Sequence, residues 1–258
     1  MDLVYSQIRR HAKEIISRHS QPEFYRRCPQ ANRLSKKIFE TDPVVLQLLD
    51  YITPHLENDF GHGMEHAEKV SLDAGALMII EGDKSGHPEP KIRRNTRLVQ
   101  CAGLLHDVKR KERDHAEKGA LYAQKTLKHF PFSRGEITKI CMAIRSHEAF
   151  KKRPRIEDPE ALLVADCLYD GDKFRWGPDN FLNTIWDMVS FYQTPLPRFI
   201  DYFPKGMEGL VKIRDTFRTP TGKKYGPQFI DIGISIGNEL YRVICSEYGR
   251  FCFQDSSR

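Results

Sequence analysis

Apolar residues recur at the spacing of an α-helix along most of the chain. Between residues 64 and 80, for example, an apolar side chain returns every three or four positions, at Ala67, Val70, Ala74 and Leu77. This periodicity places the apolar residues on one face of a helix, where they can be buried together. The helices that the pattern predicts in this way cover residues 43–56, 64–80, 92–108, 115–129 and 134–148.

Helix starts are recognisable at two further points of the chain. Asp42 and Asp158 are each followed directly by a proline. An aspartate can accept hydrogen bonds from the exposed amides of a first helical turn, and a proline fits the first helical position. Both pairs therefore predict the first residue of a helix. The first 18 residues also carry an amphipathic pattern that predicts a helix.

Signals for strands are weak throughout. Residues 81–91 are rich in glycine and proline and predict a loop. Segments 199–203 and 251–253 have some β character and would fit a hairpin or irregular structure. The chain as a whole therefore predicts an all-α fold.

The patterns divide the chain into three parts. We expect an N-terminal helical segment at residues 1–55 and a central domain at 56–180. A mostly helical extension at 181–258 should pack on that core. A chain of 258 residues is long enough for such a core with helical additions.

Composition places the chain among soluble globular proteins. Charged residues make up 29%, hydrophobic residues 40%, and the mean hydropathy is −0.56. No apolar run approaches the ~18 residues of a membrane helix, and the N-terminal stretch lacks the apolar core of a secretory signal. The six cysteines include no CxxC pair, so a zinc ribbon is excluded. Free thiols favour a reducing compartment, and we expect a cytoplasmic protein with no membrane partner.

The chain carries a net positive charge. Lys and Arg total 41 against 35 Asp and Glu, which gives +6 at pH 7. This balance fits an ordinary basic surface, and it also fits attraction of an anionic substrate such as a phosphate ester. The densest basic runs, 109–113 and 151–155, lie close in sequence to histidines, which favours the second interpretation. A basic stripe with interleaved aromatic residues is not found, so nucleic acid is not expected as a partner.

One histidine–aspartate pair stands out because of what precedes it. His106 and Asp107 follow Leu104 and Leu105 at the end of the most apolar predicted helix. Burying an ionised carboxylate is costly unless it is paired or binds a metal. Imidazole and carboxylate together suit divalent transition metals. An isolated pair of this kind can equally mark a helix end that reaches water, so the pair alone leaves both interpretations open.

The order of the remaining motifs separates these interpretations. Five short motifs follow one another along the chain: HAEKV with His66, LLHDVKR with His106 and Asp107, HAEKGA with His115, IRSHE with His147, and DGDKFRWG with Asp172. Each is short, but the ordered set resembles the HD superfamily of metal-dependent phosphohydrolases across residues 62–177. This resemblance implies a helical HD-domain bundle.

The resemblance also implies a metal site. His66, His106 and Asp107 would be ligands, together with one later aspartate. DGDKFRWG fits the family's last acidic element and favours Asp172, whereas VADCL resembles a form found in some relatives and would select Asp166. Asp172 is preferred because the residues that follow it also fit. The expected cofactor is a divalent ion, one of Mn, Fe, Co, Ni, Zn or Mg.

Further roles follow from proximity to these ligands. Asp107, Lys109 and His115 are the expected catalytic residues. His115 would protonate the leaving oxygen, because imidazole titrates near neutral pH, and Lys109 would face the phosphoryl group. The residues expected to bind substrate are His62, His147, Lys173 and Arg175. His147 has an alternative role in holding a second metal ion.

These expectations favour an enzyme that hydrolyses a phosphate mono- or diester, a nucleotide or a similar small anionic molecule. Two rivals remain: a non-catalytic HD-like module that binds a nucleotide or a partner, and a structural zinc protein. The complete ligand set favours the enzyme, and the mixed His/Asp ligands disfavour structural zinc. No P-loop, GxGxxG or GxSxG motif is present, which removes support for kinase-like, dinucleotide-binding and serine-hydrolase functions. Assembly as a homo-oligomer is compatible with the sequence.

Overall fold

The computed structural model describes residues 3–55 and 63–249, and within these ranges the chain is helical, with no strand. The all-α prediction is therefore confirmed. The helices are α1 (Leu3–Arg18), α2 (Glu23–Arg27), α3 (Pro29–Thr41), α4 (Pro43–Ile52), α5 (Met64–Lys84), α6 (Glu89–Leu105), α7 (His115–Thr126), α8 (Arg134–Arg145), α9 (Pro159–Phe174), α10 (Ile185–Phe191), α11 (Leu196–Ile213) and α12 (Pro220–Tyr248). A short π-helical segment, Asn180–Thr184, leads into α10.

Both predicted helix starts are confirmed at the level of hydrogen bonds. The Asp42 carboxylate accepts from the amides of Val44 and Val45 at 3.0 and 3.3 Å. The Asp158 carboxylate accepts from the amide of Glu160 at 2.9 Å. Each aspartate thus satisfies amides that the first helical turn leaves without a partner.

Two predictions about irregular segments were wrong. The predicted loop at 81–91 shrinks to four residues, because α5 continues to Lys84 and α6 already begins at Glu89. Pro90 lies in the first turn of that helix rather than in a loop, since a proline is tolerated there. Residues 199–203 lie within α11, where Phe199 and Phe203, four positions apart, are buried on one face. The other β-like segment, 251–253, lies outside the described residues.

The centre of the molecule is the packing of α5, α6 and α9 against one another. Helix α8 lies against α6 and α9, and α7 lies against α8. The N-terminal helices α3 and α4 cover α5 and α6, and the long C-terminal α12 contacts α1, α9 and α11. The parts of the chain expected as additions therefore cover the three central helices.

Two glycines bring the central helices together. A Cβ atom on Gly103 of α6 would lie 2.9 Å from the Cα of Ser71 on α5. A Cβ atom on Gly171 of α9 would lie 2.8 Å from the backbone nitrogen of Ala74, also on α5. Both neighbours are backbone atoms, which cannot rotate away as a side chain can. The interhelical distances at these two points therefore depend on the missing Cβ atoms.

One continuous apolar core runs from Tyr5 in α1 to Tyr248 in α12. Its largest fully buried side chains include Trp186, Tyr169 and Phe24, which come from all three predicted parts of the chain. Among the described helices, none has both the length and the apolar character required to cross a membrane.

The glycine contact between α9 and α5 generates a first testable prediction. We expect Gly171→Ala to lower the free energy of unfolding by about 1–3 kcal/mol, because the added methyl group forces the two backbones apart. Chemical denaturation of both proteins, followed by circular dichroism, measures the difference.

Gly209→Ala is the matched control, since a Cβ at this position of α11 meets no atom within 4 Å. There the usual preference of helices for alanine should raise the free energy of unfolding by up to about 1 kcal/mol. Equal effects of the two substitutions would contradict the close-contact explanation.

Candidate metal centre

The ends of several helices meet at a buried group of histidines and aspartates. His66 lies in the first turn of α5, and His106 follows the last residue of α6. Their Nε2 atoms are 3.3 Å apart, and both side chains are buried. The packing of α5 against α6 positions these two nitrogens, because the close contact at Gly103 lies only three residues before His106.

The orientation of the His106 ring is set by the helix that precedes it. Its Nδ1 lies 2.7 Å from the carbonyl oxygen of Gly103. A carbonyl can only accept, so Nδ1 carries the proton and Nε2 offers a lone pair to the cluster. Burial lowers the pKa of His106 to about 4, against the opposing effect of Asp107 and Asp172. His106 is therefore neutral near pH 7, as a metal ligand must be.

The Asp107 carboxylate faces histidines on both sides. Its Oδ2 lies 3.5 Å from Nε2 of His106 and 4.0 Å from Nε2 of His66. Its Oδ1 lies 3.3 Å from Nε2 of His147 and 3.6 Å from Nε2 of His115. One buried carboxylate thus joins two pairs of histidines.

The second pair of histidines comes from two other helices. His115 is the first residue of α7, and His147 follows α8 closely; their Nε2 atoms are 3.3 Å apart. Nδ1 of His147 donates to the carbonyl of Ile144 at 2.6 Å, which leaves its Nε2 as an acceptor. Nε2 of His115 accepts from the guanidinium of Arg110 at 3.0 Å, and burial lowers the pKa of His115. Nε2 of His147 therefore offers a lone pair beside Asp107, whereas the lone pair of His115 Nε2 accepts from Arg110.

Donor atoms in this arrangement can hold a metal ion. Among the residues that the structure describes, two groups satisfy the spacing of metal ligands: His66, His106 and Asp107, here called the first cluster, and Asp107, His115 and His147, the second cluster. Ligand atoms around an ion bound at about 2.1 Å lie about 3–4 Å from one another, which matches the distances in both clusters. Imidazole nitrogens beside a shared carboxylate are donors that divalent transition metals prefer, so the chemistry of the donors fits a divalent ion.

Of the two candidate later ligands, Asp172 lies beside the first cluster. Its Oδ1 is 3.4 Å from Nε2 of His66 and 3.9 Å from Nε2 of His106. Burial alone would raise the pKa of Asp172, but Lys173 and the two histidines hold it well below the usual value. Asp166 lies one and a half turns earlier on α9 and pairs with Arg153 at 2.7 Å. This geometry favours Asp172.

The two basic residues that follow Asp172 are both buried and both paired. Lys173 contacts the second carboxylate oxygen of Asp172 and lies over the rings of Tyr169 and Trp176. Its charge therefore lies next to the first cluster, and its expected role in binding substrate stays a prediction.

Arg175 lies in a separate ion-pair network. Its guanidinium contacts the carboxylates of Asp73 and Asp179, and it donates to the hydroxyl of Tyr25 at 2.6 Å. This side chain also lines the cavities on either side of it. Two carboxylates already neutralise Arg175, and none of these contacts is to either cluster. Its expected role in binding substrate stays a prediction.

Lys109 lies farther from the clusters than its position in the sequence suggests. Its ammonium pairs with Glu112 at 3.2 Å and lies 5.5 Å from the ring centre of Tyr122, and in the described chain it contacts neither cluster. The neighbouring Arg110 lies beside the second cluster instead. Its Nη1 is 3.0 Å from Nε2 of His115 and 3.9 Å from Oδ1 of Asp107. The sequence analysis assigned no role to Arg110 individually, although its spacing of one turn from Asp107 could have indicated it. His62 lies outside the described residues.

Compared with family models, curated proteins and solved structures, the chain shows no significant match. The case for this site therefore depends on the geometry of its own residues.

The position of Asp172 generates a prediction about metal content. We expect Asp172→Asn to lower the affinity for Mn²⁺ or Zn²⁺ by at least about tenfold, because a neutral amide replaces a charged ligand beside His66. Isothermal titration of the chelator-treated protein with each metal measures the change.

Asp166→Asn is the control on the same helix and should leave the metal affinity unchanged. A loss of affinity in Asp166→Asn, with Asp172→Asn unaffected, would assign the ligand to the earlier aspartate.

Proposed function

We propose that this chain is a metal-dependent phosphohydrolase of the HD superfamily, acting on a small phosphate ester. The observation that carries the proposal is the Asp107 carboxylate shared between the first and second clusters. Two adjoining cation sites of imidazole and carboxylate are a recurring arrangement for phosphoryl hydrolysis. The same residues appear in the order that the HD resemblance implies.

In this proposal each cluster holds one divalent ion. His66, His106, Asp107 and Asp172 are the ligands of one ion, and Asp107, His115 and His147 are the ligands of the other. Imidazole and carboxylate donors suit Mn, Fe, Co, Ni and Zn, and a carboxylate-rich set also admits Mg. In this proposal His115 is a ligand rather than the expected proton donor, which requires the guanidinium of Arg110 to release its Nε2.

Bound ions of this kind supply an activated water molecule near neutral pH and polarise a phosphoryl oxygen. The protein supplies the remaining functions. His106 and His147 are held by backbone carbonyls, so their Nε2 atoms keep a fixed direction without further reorganisation. Arg110, at the edge of the second cluster, presents a guanidinium that can donate two hydrogen bonds to phosphate oxygens. Lys173 adds a buried positive charge next to Asp172.

Metal stoichiometry and hydrolysis together test this function. We expect up to two Mn²⁺ or Zn²⁺ ions per chain, and hydrolysis of p-nitrophenyl phosphate or of a nucleotide from a panel that depends on the added metal. His115→Ala should retain no more than one ion and lose most of the activity, because it removes a ligand of the second cluster only. Elemental analysis by mass spectrometry and a phosphate-release assay measure the two quantities.

His129→Ala is the matched control, since this histidine is exposed at the end of the same α7 region. It should keep both the ions and the rate. Two retained ions with slow turnover in His115→Ala would restore the proton-donor role. Full metal loading with no hydrolysis of any phosphate ester would indicate a binding module instead.

The contrast between Arg110 and Lys109 generates a further prediction. We expect Arg110→Ala to lower kcat/KM for a phosphate ester by about 10–100-fold, the effect of losing one or two charge-assisted hydrogen bonds. Lys109→Ala should have a clearly smaller effect, because Glu112 already pairs with that ammonium. Steady-state kinetics of the two variants at fixed metal concentration compares them. A larger loss in Lys109→Ala would show that the segment between α6 and α7 rearranges when substrate binds.

A further inference from the structure

A cleft of about 570 Å³ opens directly beside the metal centre. At one end it is lined by His66 of the first cluster and by Arg110, which contacts the second cluster. From there it runs between the π-helical segment with α10 on one side and α11 on the other. A ligand bound at the metal centre would therefore have part of its structure in this cleft.

The polarity of the cleft changes along its length. His66, Arg175 and Thr184 line both this cleft and the neighbouring charged cavity, so polar side chains gather where the two meet, at the metal centre. The lining also includes Phe181, Val189, Phe199, Phe203 and Leu210, beside the polar Thr194 and Arg198. The five apolar residues are all buried, and none of them offers a hydrogen-bonding side chain.

The outer part of the wall is apolar as well, although it faces solvent. Met188 is 42% exposed, Tyr192 63% and Tyr202 56%, and all three line the cleft. Large apolar side chains that remain exposed around a concave surface commonly mark a binding site for an apolar group. Arg198 and Lys205 lie over the Tyr202 ring, each 5.5 Å from its centre, and add positive charge at this edge.

The apolar lining of the cleft distinguishes between two kinds of organic group, a nucleobase and a hydrocarbon. A nucleobase placed against the apolar wall would leave hydrogen-bonding groups without partners, which weakens its binding. A hydrocarbon group gains about 0.8 kcal/mol for every methylene that it buries. Trp176 and Asn180 also line the cleft and are the residues that a base would contact.

We propose that the cleft binds the hydrocarbon part of an amphiphilic phosphate monoester, with the phosphate at the Asp107 end beside Arg110. This inference rests on the proposed function for the position of the phosphate. The choice of a hydrocarbon over a base depends only on the apolar wall. The extension at 181–258, which supplies α10 and α11, thereby determines the substrate class.

Binding of n-alkylphosphonates to the metal-loaded protein tests the proposal without hydrolysis, since their carbon–phosphorus bond is not a substrate for phosphate-ester cleavage. We expect the affinity to rise about three- to fourfold per methylene from methyl- to octylphosphonate. Adenosine 5′-monophosphate should bind more weakly than octylphosphonate. Isothermal titration below the micelle-forming concentration measures all affinities.

Substitutions in the exposed part of the cleft wall test whether the gain in affinity per methylene arises there. The double substitution Met188→Gln with Tyr202→Gln should reduce the ratio of octyl- to methylphosphonate affinity by about tenfold, because less apolar surface is buried. Val211→Gln is the control: Val211 is 53% exposed on α11 but does not line the cleft, so the ratio should not change. Circular dichroism of each variant shows that the helices are retained.

An affinity independent of chain length, or tighter binding of the nucleotide than of octylphosphonate, would overturn the proposal. The same series of alkyl phosphates, assayed for phosphate release, separates this failure from that of the proposed function. Binding that depends on chain length without any hydrolysis would retain the cleft assignment and reject the phosphohydrolase. Hydrolysis of short and long esters at equal kcat/KM would do the reverse.

Discussion

The close approach of α5, α6 and α9 is the constraint on which the candidate site depends. Gly103 and Gly171 each let two helix backbones come nearer than a Cβ atom would allow. Gly103 lies three residues before His106, and Gly171 directly precedes Asp172. The same contacts that pack the core therefore bring His106, Asp107 and Asp172 each within 4.0 Å of Nε2 of His66. The packing of the core and the geometry of the site thus depend on the same two helix contacts.

Much of this arrangement was accessible from the sequence, because it depends on local patterns. Helical periodicity predicted the central helices, and the aspartate–proline pairs predicted where two of them begin. The apolar run before His106 predicted a buried pair at a helix end. The short irregular segments were less accessible: residues 199–203 contain aromatic side chains typical of strands, but burial of Phe199 and Phe203 on one face of α11 outweighed that local preference.

The roles of individual charged residues depend on tertiary contacts and could not be predicted in this way. Lys109, Arg110, Lys173 and Arg175 are all basic and all follow a site aspartate in the sequence. The turn after α6 points Arg110 at His115 and Lys109 at Glu112, whereas Asp73, from a distant part of the chain, pairs with Arg175. A single sequence contains no signal for a partner 102 residues away. The order of motifs can therefore suggest a ligand set, but it cannot assign the cations around it.

The position of Asp107 between the two clusters has an energetic consequence. The carboxylate is rigid, so an orientation that suits one pair of histidines fixes the oxygen presented to the other pair. Any ligand that binds in one cluster and restrains this carboxylate thereby changes the affinity of the other cluster, and by thermodynamic linkage the effect is reciprocal. If both clusters hold an ion, the two halves of the centre are therefore coupled through Asp107, and a substitution that changes the occupancy of one also changes the binding isotherm of the other.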